Sequence, residues 1–268
     1  MRIRFDFHAE KLPIIYRHRI MALIKEALTT ADPTFKERLY PDKESDLSKV
    51  VKPFCFSIGM PAGRTLKREK IRIDEDVEVE ETVFHFPKRS RLHLYVSSNS
   101  YEFIVLLYNG LVECREKGKV FPITDGINLM FDRALPLNER KIREEEVVFK
   151  TVSPILIEDK NEKPVIPSPE NQAMFMEEFN SIHDRILREI RGGDGLIRPI
   201  EFEPLKINKQ VVKHTLRGFR EKTGKPYMTL TCFEGCFKLK GDPRDLQMLY
   251  QIGIGLRTGQ GFGMVEVV

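Results

Sequence analysis

The sequence predicts an α+β protein built from two tandem ferredoxin-like βαββαβ domains, the topology also used by RRM-type sheets. Three observations predict it. Segments that alternate with period two are interleaved with segments of helical period. The order of those segments in the first half recurs in the second. At 268 residues the chain is long enough for two cores.

The first half opens on Arg2–His8, where Ile3, Phe5 and Phe7 face one way and Arg2, Arg4, Asp6 and His8 the other, a half-buried strand. Pro13 is read as opening a helix through IIYRHRIMALIKEALTT, with Ile20, Leu23, Ile24, Ala27 and Leu28 as its apolar stripe. Phe54, Phe56 and Ile58 mark a second strand. Arg64 to Arg72 reads as a basic loop entering a strand, and residues 77–86 and 91–97 alternate again. A helix follows from Asn99 to Lys117, with Phe103, Leu106, Leu107, Leu111 and Val112 inward, and then a strand through Ile127 to Leu135.

In the second half, Val147 to Ile157 is a strand broken at Ser153-Pro154. Ser168-Pro169 reads as an N-cap followed by proline at the first helical position, with the helix running to Ile190 and stopping at Gly192-Gly193. Strands follow at Ile200–Ile207, Gln210–Leu216 and Tyr227–Leu239. Asp242-Pro243 caps the last helix, which ends near Ile252, and Phe262–Val268 closes the fold. The polar stretch PLNERKIREEE separates the halves, giving an N-terminal domain of residues 1–138 and a C-terminal domain of residues 139–268.

Composition narrows the function classes. Apolar residues make up 41%, charged residues 31%, and the net charge is only +4, so any case for an acidic partner rests on where the charges lie. The start of the chain has no apolar signal region, and the longest apolar run, Phe103 to Val112, is too short to span a bilayer; a cytoplasmic protein without membrane association is expected. Of the four cysteines only Cys232 and Cys236 are close, and they lie on a strand with no second pair at finger-like spacing, so buried free thiols and no metal or cofactor are expected.

GIGLRTGQGFG, from Gly253 to Gly263, carries five glycines in eleven residues. It follows a helix and has no helix after it, which excludes a dinucleotide loop, and it lacks the Gly-Lys-Ser/Thr ending of a P-loop. A simple helix-to-strand turn needs one or two glycines. Five let backbone amides approach a phosphate chain, so Gly253, Gly255, Gly259, Gly261 and Gly263, with Arg257 and Thr258 as side-chain donors, are candidate nucleic-acid contacts. Lys209, Lys213 and Arg217 are read as one basic strand face leading to that loop, with Arg220, Lys222 and Lys225 following. Arg64, Lys67, Arg68 and Lys70 form a second basic run.

The glycine–apolar–glycine pair at Gly253-Ile254-Gly255, a five-residue gap, and the second pair at Gly261-Phe262-Gly263 resemble the C-terminal motif of the CRISPR-associated repeat-RNA endoribonucleases of the RAMP superfamily. The tandem element order, the Ser153-Pro154 segment and the helix near LPIIY are also similar, so the resemblance covers the whole chain. It implies metal-independent cleavage within CRISPR repeats, the ribose 2′-hydroxyl attacking the adjacent phosphorus to leave a 2′,3′-cyclic phosphate and a 5′-hydroxyl. It implies CRISPR repeat RNA as partner and leaves open other CRISPR effector subunits and a homodimer. In many relatives a histidine after the first helix is the acid–base group, aided by a tyrosine and a lysine. This chain departs from that pattern, for no histidine occurs between His18 and His85. Tyr40 falls near the usual histidine and Lys25 near the usual tyrosine, with Lys43, or else Lys49 or Lys52, as the lysine. Helical geometry adds His18, seven residues before Lys25 and so on nearly the same face, about 10 Å away along the axis. The expected catalytic set is His18, Lys25, Tyr40 and Lys43; the alternative is a non-cleaving RNA-binding or scaffold relative.

Overall fold

The computed structural model describes residues 1–41, 50–74 and 76–268. The first half contains β1 (Arg2–His8), β2 (Lys11–Pro13), α1 (Arg17–Ala31), α2 (Pro33–Leu39), β3 (Phe54–Gly59), β4 (Thr65–Asp74), β5 (Val77–His85), β6 (Arg91–Ser98), α3 (Tyr101–Glu116), β7 (Phe121–Thr124) and β8 (Ile127–Leu137). The second half contains β9 (Glu146–Thr151), α4 (Gln172–Arg191), β10 (Glu201–His214), α5 (Arg217–Thr223), β11 (Met228–Lys240), α6 (Pro243–Ile252), a single 3-10 turn at Thr258–Gln260, and β12 (Val265–Val267).

Both halves order their main strands alike. The first sheet runs β3-β6-β1-β8-β7 and the second β10-β11-β9-β12, so in each the first strand of the repeat lies between the third and the fourth. That is the ferredoxin-like order, with β7 added at one edge and a small separate sheet β2-β5-β4 inserted in the first half. All pairings among these strands are antiparallel. In the first core Phe5, Phe7, Phe54, Phe56 and Phe131 meet the stripe Ile20, Leu23, Ile24, Ala27 and Leu28 of α1 and Phe103, Leu107 and Leu111 of α3. Helices α1 and α3 cross closely because Gly110 has no side chain; a Cβ there would lie 1.9 Å from the Ala27 carbonyl oxygen. In the second core Phe175, Phe179 and Ile186 of α4 and Leu246 and Leu249 of α6 pack on Phe149, Phe233 and Phe237.

Several elements differ from the sequence reading. Pro13 ends β2 instead of opening a helix; Ile14 donates to the Thr82 carbonyl and α1 starts at Arg17. The basic stretch read as a loop entering a strand is strand from Thr65 onward, β4, paired with β5. Helix α4 starts at Gln172, after a turn in which Asn171 Oδ1 accepts from the Ser168 amide. The two strands expected at Ile200–Leu216 are one strand, β10, with a register shift between Pro204 and Lys206. Arg217 opens α5, so it does not share a strand face with Lys209 and Lys213.

The polar face of β1 is buried at two of its positions. Arg2 is 1% exposed and Asp6 is fully buried. The second half covers Arg2: its guanidinium lies 3.7 Å from the Tyr250 ring centroid and donates to the Tyr250 and Val265 carbonyls and to Glu266. Asp6 accepts from Arg133 and pairs with His93 and Arg4.

Candidate nucleic-acid interface

The glycine segment carries the chain from the end of α6 to β12 along the seam between the halves. Gly253 leaves α6 at φ +92°, and Gly255, Gly261 and Gly263 also take positive φ. What the glycines admit is neighbouring structure. A Cβ on Gly253 would lie 2.8 Å from Cys55 Cβ, on Gly255 2.5 Å from the Leu156 carbonyl oxygen, on Gly259 2.7 Å from Lys52 Cγ, on Gly261 2.7 Å from the Phe56 ring and on Gly263 2.2 Å from the Ile254 carbonyl oxygen. Three of these neighbours, Cys55, Phe56 and Lys52, lie on β3 or just before it.

The amide accounting sharpens the expectation from sequence. Gly253 donates to the Leu249 carbonyl, Gly255 to His183 Nε2, Gly261 to the Thr258 carbonyl and Gly263 to the Pro154 carbonyl. Those four amides are therefore engaged within the fold. Among the described residues, the consecutive amides of Arg257, Thr258 and Gly259 have no acceptor. They stand at the start of the 3-10 turn, after Arg257 in the left-handed conformation at φ +59°, an arrangement suited to an anion. His183, on α4, is fully buried and structural. Its Nδ1 donates to the Phe179 carbonyl at 2.6 Å while Nε2 accepts from Gly255 at 2.8 Å, and burial depresses its pKa to about 4, fixing the neutral ring.

Two side-chain clusters flank this turn. On the Gly259 side, the Lys25 and Lys52 ammonium groups lie 4.6 Å and 4.8 Å from the Tyr40 ring centroid. Helix α2 sets up Tyr40: Asp32 caps it by accepting from the Phe35 amide, Pro33 takes the first position, and Tyr40 terminates it. The Tyr40 hydroxyl is buried with no hydrogen-bond partner among the described residues, and burial raises its pKa. Lys52 donates to the Val50 carbonyl at 2.7 Å; burial, and then the charge of Lys25, brings its pKa down to about 8. Lys43 and Lys49 lie outside the described residues. Lys52 is the described lysine that joins Tyr40 and Lys25.

On the Gly261 side stands His18, which keeps company with His214 and not with Tyr40. Arg17 Nε donates to the Gly261 carbonyl at 3.3 Å, with its guanidinium 4.9 Å from the Phe262 ring centroid. His214, 1% exposed, pairs through Nε2 with Gln260 Oε1 at 3.0 Å, and Phe262 meets its ring edge-on. Burial lowers both imidazoles, His18 to about 3 with Arg19, His214 and Arg220 adding to the shift, and His214 to about 4 with Arg17 and Arg257 adding.

The basic runs are partly neutralised. Lys213 is paired with the buried Glu81 of β5, Arg220 with Asp74, and Arg217 with Glu221, while Lys209 is exposed on β10. Lys70 and Arg72 of β4 stand opposite Glu80 and Glu78 of β5. The other histidines serve locally: His8 lies 3.8 Å from Asp132, His85 2.5 Å from Glu69 and His93 2.6 Å from Asp6. All four cysteines are free. Among the described residues no group of three or more His, Cys, Asp or Glu is placed to hold a metal ion, and no helix is long and apolar enough to cross a membrane.

Residues 137–267 match the family model described as CRISPR associated protein Cas6, C-terminal. The CRISPR-associated endoribonuclease Cas6 1 of Methanocaldococcus jannaschii is 24% identical over 284 aligned positions, covering 99% of this chain and 92% of its own. A solved Cas6-related protein from Pyrococcus furiosus superposes with TM-score 0.71 at 19% identity, covering 100% of this chain and 98% of its own. A RAMP protein described as binding different RNA substrates superposes with TM-score 0.69 at 20% identity, covering 100% and 99%. Both structures share the tandem fold described above.

Proposed function

We propose that this chain, whose residues 137–267 match the Cas6 C-terminal family model and which is similar to a Cas6 endoribonuclease along its length, is a CRISPR RNA-processing endoribonuclease. The finer reading is cleavage within the repeat by 2′-hydroxyl attack without a metal ion. The observation that carries it is the Lys25–Tyr40–Lys52 cluster abutting the glycine turn.

The reaction forms a bond from the 2′-oxygen to phosphorus and breaks the bond from phosphorus to the 5′-oxygen. One proton leaves the 2′-hydroxyl and one reaches the departing 5′-oxygen. With a pKa near 8, Lys52 has a neutral fraction of about one in ten at pH 7, enough to accept the first proton. Burial keeps the Tyr40 hydroxyl protonated and available as the donor. The Lys25 ammonium balances charge on the phosphorane, and the amides of Arg257, Thr258 and Gly259, without an acceptor among the described residues, hold a phosphate in place. Lys209 and Arg217 extend the track for the strand.

The test is incubation of the purified chain with CRISPR repeat RNA in EDTA, with and without a 2′-deoxy sugar at the cut site. A cyclic-phosphate product that disappears with the deoxy sugar supports the mechanism, and cleavage of the deoxy strand refutes it. Tight binding without product identifies the second reading, a non-cleaving RNA-binding relative, which the missing histidine beside Tyr40 favours.

A further inference from the structure

We propose that the imidazoles of His18 and His214 line a phosphate pocket on the Gly261 side of the glycine turn, which takes one phosphodiester of the bound RNA strand together with a proton. The proposal rests on the RNA-binding reading above.

The first support is a concentration of unpaired buried polar atoms. Both ring nitrogens of His18, Nδ1 of His214 and Nε of Arg19 are buried with no hydrogen-bond partner among the described residues. Buried polar groups are nearly always paired, and each orphan carries its full desolvation cost. His214 is 1% exposed, so solvent does not satisfy its Nδ1.

The surrounding charge selects an anion. Arg17 and Arg19 flank His18 on α1, Arg220 of α5 and Asp74 of β4 lie within electrostatic reach of it, and Arg257 of the glycine segment reaches His214 with Arg17. Glu158 lies within electrostatic reach of Arg257, and Glu234 of Arg17. Asp74, 44% exposed, is the resident carboxylate of Arg220, the group an incoming phosphate displaces.

Tautomer logic adds the proton. Gln260 Oε1 faces both His214 Nε2 at 3.0 Å and Arg257 Nη1 at 3.4 Å. An arginine only donates, so Arg257 assigns that atom as the amide oxygen; His214 Nε2 facing the same oxygen then carries the hydrogen, and Nδ1 is a lone pair. A phosphate oxygen is also an acceptor. It hydrogen-bonds Nδ1 only after that nitrogen gains a proton, which the phosphate charge then stabilises.

The geometry also places the pocket relative to chemistry. Lys52 touches the turn at Gly259, and Arg17 touches it at Gly261. A strand crossing the turn presents one phosphate to the Lys52 side and another to the histidine side. The histidine pair is therefore a positioning site for the strand, separate from the proposed cleavage cluster.

The test is calorimetric titration of the full chain with repeat RNA carrying a 2′-deoxy sugar at the cut site, in buffers of different ionisation enthalpy near pH 6, with affinities followed from there to about pH 8. The expected result is proton uptake on binding, with affinity tightening by up to about tenfold per pH unit fall for each proton taken up. His18→Gln and His214→Gln each reduce the uptake. As a control that leaves the fold untouched, neutral methylphosphonate linkages are scanned along the RNA; one position abolishes the uptake in wild-type protein. RNA binding without proton uptake, or uptake unchanged at every methylphosphonate position, overturns the pocket while leaving RNA binding intact. Absence of RNA binding at every pH refutes the RNA-binding reading and the pocket with it.

Discussion

Replacing Gly263 with alanine separates two explanations for the glycine segment. If the glycines exist only to let a ligand approach, the substitution costs no more than the backbone penalty of a positive φ. If they exist because the fold closes on itself there, it is severe. Gly263 has φ +75°, a region that costs an L-residue about 1–2 kcal/mol. The new Cβ would lie 2.2 Å from the Ile254 carbonyl oxygen and 3.0 Å from its nitrogen, both backbone atoms that cannot rotate away. Overpacking of that kind costs about 1–3 kcal/mol, so the expected total is about 2–5 kcal/mol. Gly126→Ala is the matched control, with φ +69° and nothing within 4 Å of the added methyl, so only the conformational cost of about 1–2 kcal/mol applies. Urea unfolding followed by far-ultraviolet circular dichroism measures both. With a slope of about 3 kcal/mol per molar, Gly263→Ala lowers the midpoint by about 0.3–1 M more than the control does. Equal midpoints for the two variants would refute the packing account of the segment.

Three further outcomes follow from the geometry. Gly110→Ala drives a methyl into the Ala27 carbonyl where α1 and α3 cross, and thermal unfolding should reveal a loss of about 1–3 kcal/mol despite alanine's better helix propensity. For cleavage limited by chemistry, the rate should rise with pH and level off above about 8, as Lys52 loses its proton; Lys52→Arg should be inactive across that range because a guanidinium stays charged, and an unchanged profile would remove Lys52 from the base role. Burial raises the pKa of Asp6, but hydrogen bonds from Arg133, His93 and Arg4 outweigh it and the net shift is downward. Its contribution to stability is therefore complete above the unfolded carboxylate value near 4 and is lost as pH falls through the lower folded value; Asp6→Asn should flatten acid unfolding in that interval.

Much of the fold was legible because each half repeats one economical pattern. The alternation in β1, the stripe of α1, the Gly192 stop and the Asp242-Pro243 cap all lie in local sequence and all appear in place. Helix α2 was missed although Asp32-Pro33 carries the same cap signature as Asp242-Pro243, because seven residues are too few to show a period. Ser168-Pro169 misled for the opposite reason, since an Asx-type bond from Asn171 holds a turn before α4. The burial of Arg2 and Asp6 was invisible because alternation reports one sheet and says nothing of what covers its second face. At the candidate site, Lys25 and Tyr40 do come together, joined by Lys52, whereas His18 turns to a histidine nearly two hundred residues away in sequence. Only a tertiary contact sets that pairing. An orphaned lone pair on His214 likewise has no sequence signature.

The bond between Arg2 and Glu266 spans 264 positions. At translation rates of about 5–20 residues per second, the arginine emerges roughly 13–50 s before its acceptors exist. Throughout that interval the nascent β1 displays a hydrated cation on the face it will later bury. Such a charge disfavours premature burial of that face against another half-made chain. The residue that seals the finished molecule thus also keeps it solitary while it is being made.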